Sequence, residues 1–161
     1  YYEDAYLLFS VPEFTRSLAN NMRSASKVYA ADPAMFGAFS PASALDQGQR
    51  LETAVFNALR RRTPAVRVGS VCRLLIKEKS KSHEVDFVAG DALLMRAYSL
   101  IQVSADMASE KTREREIAAL DASMAQFDLG ESAIVTMDEQ ADIPCEHGAV
   151  HVVPAWKWLL A

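Results

Sequence analysis

Glycine is scarce in this chain and widely spaced. The six glycines, at positions 37, 48, 69, 90, 130 and 148, never come closer together than eleven positions. Neither GxGxxG nor GxxxxGK[ST] can be written with that spacing, so the phosphate-cradling loops of dinucleotide and P-loop sites are excluded. No GxSxG occurs, which removes the nucleophile elbow of the α/β-hydrolases. Cys72 and Cys145 are too few for a disulfide framework and lack metal-type spacing, which suits a reducing, cytoplasmic setting. Histidine is as rare. His147 and His151 are four apart in a strand-like, turn-containing stretch, where they face no common zinc, and His83 reads as a surface residue. No apolar run reaches the length of a membrane span and no signal peptide is visible, so no membrane is expected as a partner.

What remains is an ordinary globular balance. The 161 residues suit one domain with a proper core, half of them apolar and a quarter charged. The chain opens on Tyr1 in "YYEDAYLLFSV", which reads as a piece of a longer polypeptide. The net charge of −4 argues against a protein that coats nucleic acid, yet the charge is uneven. Arg60, Arg61, Arg62, Arg67, Arg73, Lys77, Lys79 and Lys81 face one acid, Glu78, so residues 60–81 carry +7 and the rest −11. A basic segment on an acidic body is a candidate polyanion footprint; a solvated strand pair and loop is the plainer alternative.

Periodicity gives the elements. Strands are expected at 6–12 and 27–31, then a short turn from Asp32-Pro33 through Phe39. A helix follows from about Gln47 to Arg62, with Leu51, Val55, Phe56 and Leu59 as its apolar stripe, ended by Thr63-Pro64. Strands at about 66–76, 84–89 and 97–104 precede a helix from about Ser109 to Asp128, whose stripe is Ile117, Leu120, Met124 and Phe127. The stretch "SEKTRERE" reads as its solvated face, and Gly130 as its stop. Strands at about 132–137 and 149–153 and a short helix from Pro154 complete a mixed α/β layered domain. Residues 1–44 read as an N-terminal appendage or linker, and 45–161 as the α/β domain.

One constellation carries chemistry. Glu52 lies on the stripe side of the first long helix, and Asp86 sits mid-strand among apolar neighbours; an unpaired buried charge is costly in either place. Strand alternation puts Val85, Phe87 and Ala89 on one face and Glu84, Asp86 and Val88 on the other; Gln102 and Ser104 share a side of the next strand. Meeting faces would make a polar hollow on one side of a sheet. Carboxylates gathered there suit Mg²⁺, which prefers oxygen ligands and could activate water against a phosphate.

The ordered set "KVYAADPAMF", "QRLETAVFNALRRR", "HEVDFV", "LIQVS", "KTREREIAAL" and "VVPAWKWLL" closely resembles the C-terminal domain of unknown function of bacterial and archaeal predicted AAA+-type ATPases. The resemblance covers almost the whole chain. It implies a preceding P-loop ATPase and winged helix, with "YYEDAYLLFSVPEF" as the junction after the latter. It further implies a three-layer, restriction-endonuclease-like PD-(D/E)xK core, a mixed β-sheet flanked by helices. In that superfamily a helical acid, a strand Asp and an ExK surround one or two Mg²⁺ ions. Carried over, the helical acid is Glu52 and the strand Asp is Asp86, the residues that would hold the metal. The ExK positions fall on Gln102, Val103 and Ser104. Glutamine supplies no negative charge and serine cannot replace the lysine, so the catalytic set Glu52, Asp86, Gln102, Ser104 is degenerate. A displaced lysine at 77, 79 or 81, or Asp106, is the route by which activity would survive.

The expectation is therefore an accessory module of a cytoplasmic ATPase that binds DNA through residues 60–81, or a partner protein, with ATP used only in the missing part. An active Mg²⁺-dependent phosphodiesterase is the rival. An interaction or oligomerisation module using Tyr6, Trp156 and Trp158 is the third class.

Overall fold

The computed structural model describes residues 1–17, 26–35, 45–63, 70–77 and 82–161, with the side chains of 45, 46, 77 and 82 left aside. Its elements in chain order are β1 (Leu8–Val11), β2 (Lys27–Ala30), α1 (Leu45–Arg62), β3 (Val71–Lys77), β4 (Ser82–Asp91) and β5 (Arg96–Val103). Then come α2 (Glu110–Phe127), β6 (Glu131–Thr136), β7 (Ala141–Pro144), β8 (Ala149–Pro154) and α3 (Ala155–Leu160). A mixed six-stranded sheet runs β3-β4-β5-β6-β8-β7, and β1-β2 form a separate antiparallel pair. The β3-β4 and β4-β5 pairs are antiparallel; β5-β6 and β6-β8 are parallel. The return from β5 to its parallel neighbour requires a crossover, and α2 supplies it.

Two apolar clusters hold the layers. On one face Leu120 and Met124 of α2 pack with Leu74, Val85, Val88, Leu100, Ile134 and Val150, all buried. On the other, Leu51, Val55, Phe56 and Leu59 of α1 pack with Phe87, Ile101 and Val135, joined by Ala155 of α3. Both helical stripes expected from the spacing are thus buried or half-buried. The charged face of α2 has one exception: Glu116, one turn before Leu120, is buried.

Strand alternation fails at one point. Cys72 pairs with Val88 and Leu74 with Val85, so Asp86 and Phe87 together oppose Arg73. This bulge lets Val85 and Val88 join the α2 cluster while Phe87, between them, joins the α1 cluster. The grouping of Val85 with Phe87 is corrected accordingly: an extra residue in the ladder resets the side-chain period. A second correction concerns the end of α2. Asp128, not Gly130, takes the left-handed conformation at φ 55°, and Leu129 N–H donates to Met124 O at 3.0 Å. The glycine that packing requires is Gly148, where a Cβ would lie 2.2 Å from the Gly130 carbonyl oxygen, whereas a Cβ on Gly130 would meet nothing within 4 Å.

The first residues are less detached than an appendage. Val11 and Tyr29 are buried in the α1 cluster, and Phe14 meets Phe127 edge-on at 5.5 Å in the other. Phe14 N–H donates to Arg73 O and Arg73 N–H to Pro12 O, which ties this segment to the outer strand β3. The short strand β7, ending at Pro144 on the opposite edge, was not legible from alternation. The expected turn begins as read, with Met35 N–H donating to Asp32 O at 3.1 Å, while its end at 36–39 and the strand start at 66 fall outside the described residues. No helix among the described residues is long and apolar enough to cross a membrane.

Gly148→Ala is expected to destabilise the fold by about 1–3 kcal/mol, the range for overpacking against an unyielding neighbour. An unchanged urea midpoint would show that the β6 and β8 starts tolerate separation.

Candidate functional site

The site begins with α1 and β2. Along β2, Lys27 and Tyr29 share a face, while Val28 turns to solvent at 53% exposure. Tyr29 stacks on Phe56 at 4.7 Å and meets Phe87 at 5.4 Å. Asn57, buried on α1, donates to the carbonyl oxygens of Ala30 and Ala31, both at 3.1 Å. These contacts pin β2 across the helix one turn from Glu52. Lys27 is thereby aimed at the end of the sheet where Asp86 stands.

Glu52 and Asp86 do converge, and a lysine holds them together. Lys27 Nζ lies 2.8 Å from Asp86 Oδ1, 2.9 Å from Glu52 Oε1 and 3.1 Å from Glu84 Oε1. Tyr29 donates its hydroxyl hydrogen to the same Glu52 Oε1 at 2.5 Å. The second oxygen of Asp86 accepts from Val103 N–H at 3.0 Å, and Asp86 N–H donates to Gln102 Oε1 at 3.0 Å. Gln102 therefore supplies the acceptor that the β4-β5 ladder would otherwise give. Ser104 is elsewhere, donating to the Asp106 carbonyl oxygen at 2.9 Å. Of the four residues expected to form the set, Glu52 and Gln102 gather around Asp86 and Ser104 does not.

The lysine that gathers them was not foreseen. Lys27 belongs to the segment read as a linker, whereas the expected substitutes were Lys77, Lys79 and Lys81. The latter two, with Arg67, lie outside the described residues. The signal was an alternating K-V-Y in β2, which places a cation and a phenol on one face. Glu84 and Glu116 were also missed. Glu116 could have been found at i−4 from Leu120 and i−8 from Met124, on the buried stripe.

Burial and charge oppose each other here. Burial alone would lower the Lys27 pKa, but the negative charges and hydrogen bonds of Asp86 and Glu52 override it and raise it above the ordinary lysine value. Tyr29 is also raised, by burial and then by the Glu52 charge, so the phenol stays protonated. Burial first and Glu52 second push Asp86 up to about 6, against the pull of Lys27 and Val103 N–H.

Mg²⁺ between Glu52 and Asp86 is the ion the family resemblance implies, and the residues do not fit it there, because the Lys27 ammonium fills that point. Among the described residues, the group of three whose ligand atoms all lie within 4.8 Å of one another is Asp121, Glu146 and His147. There Asp121 accepts from the backbone N–H of His147 at 2.9 Å and meets its ring Nδ1 at 3.1 Å, bonds that tie the β7-β8 turn to α2. His151 is turned elsewhere, to Asp142 at 2.6 Å.

The basic segment is less uniform than its charge count. Arg60, Arg61 and Arg62 are exposed on the last turn of α1, though Arg60 lies 3.5 Å over the Phe9 ring and Arg62 sits over Trp158. Arg62 also donates to the Trp158 and Leu159 carbonyl oxygens. Arg73 is 9% exposed and lies 3.8 Å from Glu84, so it leaves the expected contact face. Tyr6 and Trp156 are exposed at 71% and 63%; Trp158 is half-buried.

Lys27→Met should cost about 2–4 kcal/mol at pH 7.5, below the top of the range for breaking a buried pair because Lys27 keeps some exposure. The loss should shrink towards pH 4.5. A raised Asp86 pKa means the folded state holds that proton more tightly than the unfolded chain does. Its contribution is present below about pH 4 and lost as pH rises through about 6. A protonated Asp86 needs no cation. Urea midpoints for both proteins across this range test the coupling, and an equal loss at both pH values would sink it.

Set against family models, curated proteins and solved structures, the chain finds no match in any of the three, so its functional reading rests on the site itself.

Proposed function

We propose that this chain is a nuclease-like accessory module of a P-loop ATPase, one that binds DNA without cutting it. The observation that carries the reading is the position of Lys27. Its ammonium stands within hydrogen-bond reach of three carboxylates from α1 and β4, at the point where a nuclease of the resembled family holds its ion. A tethered cation neutralises part of their charge and needs no metal for that.

The order of elements supports the restriction-endonuclease-like assignment. A helix carrying one acid, three antiparallel strands carrying the other, a crossover helix and a parallel strand follow in sequence. Gln102 in place of an acid, and Ser104 turned away to Asp106, are chemical reasons for lost cleavage. The exposed Arg60–Arg62 turn is the candidate phosphate contact. ATP binding and hydrolysis belong to the part of the parent protein that this chain lacks.

Lys27 also favours a second reading. A lysine does stand beside Asp86, supplied by β2 rather than by residues 77–81. In a Mg²⁺-dependent phosphodiesterase that amine would orient the attacking water, and the ion would have to bind beside it.

Incubation with plasmid and single-stranded DNA in Mg²⁺ or Mn²⁺ separates the two. The accessory reading expects no cleavage. Cleavage abolished by Asp86→Ala would establish the enzyme instead; cleavage that survives Asp86→Ala marks a contaminant. Binding should be salt-dependent in EDTA and should weaken when Arg60, Arg61 and Arg62 are changed to Gln. Failure to bind any DNA at low salt would leave a protein partner as the remaining occupant.

A further inference from the structure

The β4-β5 hairpin carries a second bulge. Ala89 pairs with Ser99 and Gly90 with Ala97, so Tyr98 is the extra residue in the ladder. The effect shows in the core, where Ala97 and Leu100, three positions apart, both bury into the α2 cluster. An unbroken strand would send them to opposite faces. Tyr98, between them, is turned out at 61% exposure. Bulges re-aim side chains in this way and are over-represented beside functional sites. This one also constrains the partner strand: a Cβ on Gly90 would lie 2.3 Å from the Arg96 carbonyl oxygen, so glycine is required opposite.

Tyr98 borders a cavity of about 440 Å³ on the α1 face of the sheet, lined also by the last turn of α1 and by Trp158 of α3. That volume lies within the roughly 300–1,000 Å³ of small-ligand clefts. Ile101 and Ala133, packed in the α1 cluster, give it an apolar floor, while Arg62, Ser99 and Glu131 bring polar groups to it. Arg62 is held in place. Its guanidinium lies 4.4 Å from the Trp158 ring centroid and donates to the Trp158 and Leu159 carbonyl oxygens. Such a planar fork is set before any ligand arrives.

An exposed phenol ring, a fixed guanidinium and a carboxylate over an apolar floor suit a planar heterocycle with donors and acceptors on its edge. The surroundings name its source. Arg60 and Arg61 are exposed on the same helical turn as Arg62, and Arg96, also exposed, lies 5.8 Å from the Tyr98 ring centroid. The acids nearby are Glu131 in the lining, Asp142 bonded to the lining residue His151, and Asp91, which accepts from Leu93 and Leu94 N–H in the hairpin turn. A base within a duplex is stacked and paired, so an unpaired one is what reaches such a cavity. We infer that the cavity receives an unstacked base of single-stranded DNA, lying on Tyr98 with Arg62 and Glu131 at its edge and Arg60, Arg61 and Arg96 beside the adjoining phosphates. The inference rests on the DNA-binding reading and adds which form of DNA is preferred and where its base sits.

Fluorescence anisotropy of a labelled oligothymidylate, and of a duplex of equal length, titrated with the chain in EDTA at low salt tests it. The single strand is expected to bind more tightly. Tyr98→Ala should weaken single-strand binding by about tenfold or more, the loss usual for one stacking aromatic, and leave duplex binding unchanged. Tyr98→Phe, which keeps the ring, should bind as the unmodified chain does, and near-ultraviolet circular dichroism checks the fold of each variant. In a Trp156→Phe background the emission of Trp158 should change on adding the oligothymidylate and stay constant with duplex. Duplex binding as tight as single-strand binding, or single-strand binding indifferent to Tyr98→Ala, would overturn the inference and leave the DNA-binding module standing. Thymidine monophosphate bound as tightly as the oligothymidylate would also overturn it, by assigning the cavity to a free nucleotide. Binding of neither form of DNA would remove both readings together.

Discussion

A half-buried ammonium shared by three carboxylates is the constraint around which this molecule is arranged. Glu52 on the inner side of α1 and Asp86 in a central strand would each be costly alone, and costlier together. Lys27 makes the arrangement tolerable. It can do so only because β2 is held in place by an aromatic stack through Tyr29 and by the two hydrogen bonds of Asn57. The packing of a short strand on a helix is thus inseparable from the electrostatics at the end of the sheet.

The β4 bulge plays the matching part on the other side of the site. With one residue too many opposite Arg73, Asp86 can turn towards Lys27 while Phe87 still packs under α1. Gln102 and Val103 then repair the interrupted ladder with a side-chain acceptor and a backbone donor, both directed at Asp86. Asp86 is consequently held from three directions. Such a group is well placed to fix geometry and badly placed to move.

Much of this was legible in the sequence, for reasons that differ by element. The stripes of α1 and α2 follow a period of 3.6, and long periodic segments declare themselves. Glu52 and Asp86 stood out because acids on apolar faces conflict with their surroundings. Lys27 was hidden for the opposite reason: a lysine in a short half-exposed strand conflicts with nothing locally, and its partners lie 25 and 59 residues away. Glu116 was hidden by company, one acid among many in "KTREREIAAL". The bulge was invisible because alternation presumes an unbroken ladder. Asp128 ends α2 because aspartate tolerates the left-handed region, a role the nearby Gly130 had claimed on propensity alone.

The source of Lys27 has a bearing on modularity. A cut between residues 44 and 45 looks natural on paper, since it separates a two-stranded ribbon from a six-stranded sheet. It would also strip Glu52 and Asp86 of the lysine they share and uncover the Phe56 ring of α1. The ribbon and the sheet therefore stand as one electrostatic unit, and a variant that exchanged the ribbon alone would need a replacement cation for Glu52 and Asp86.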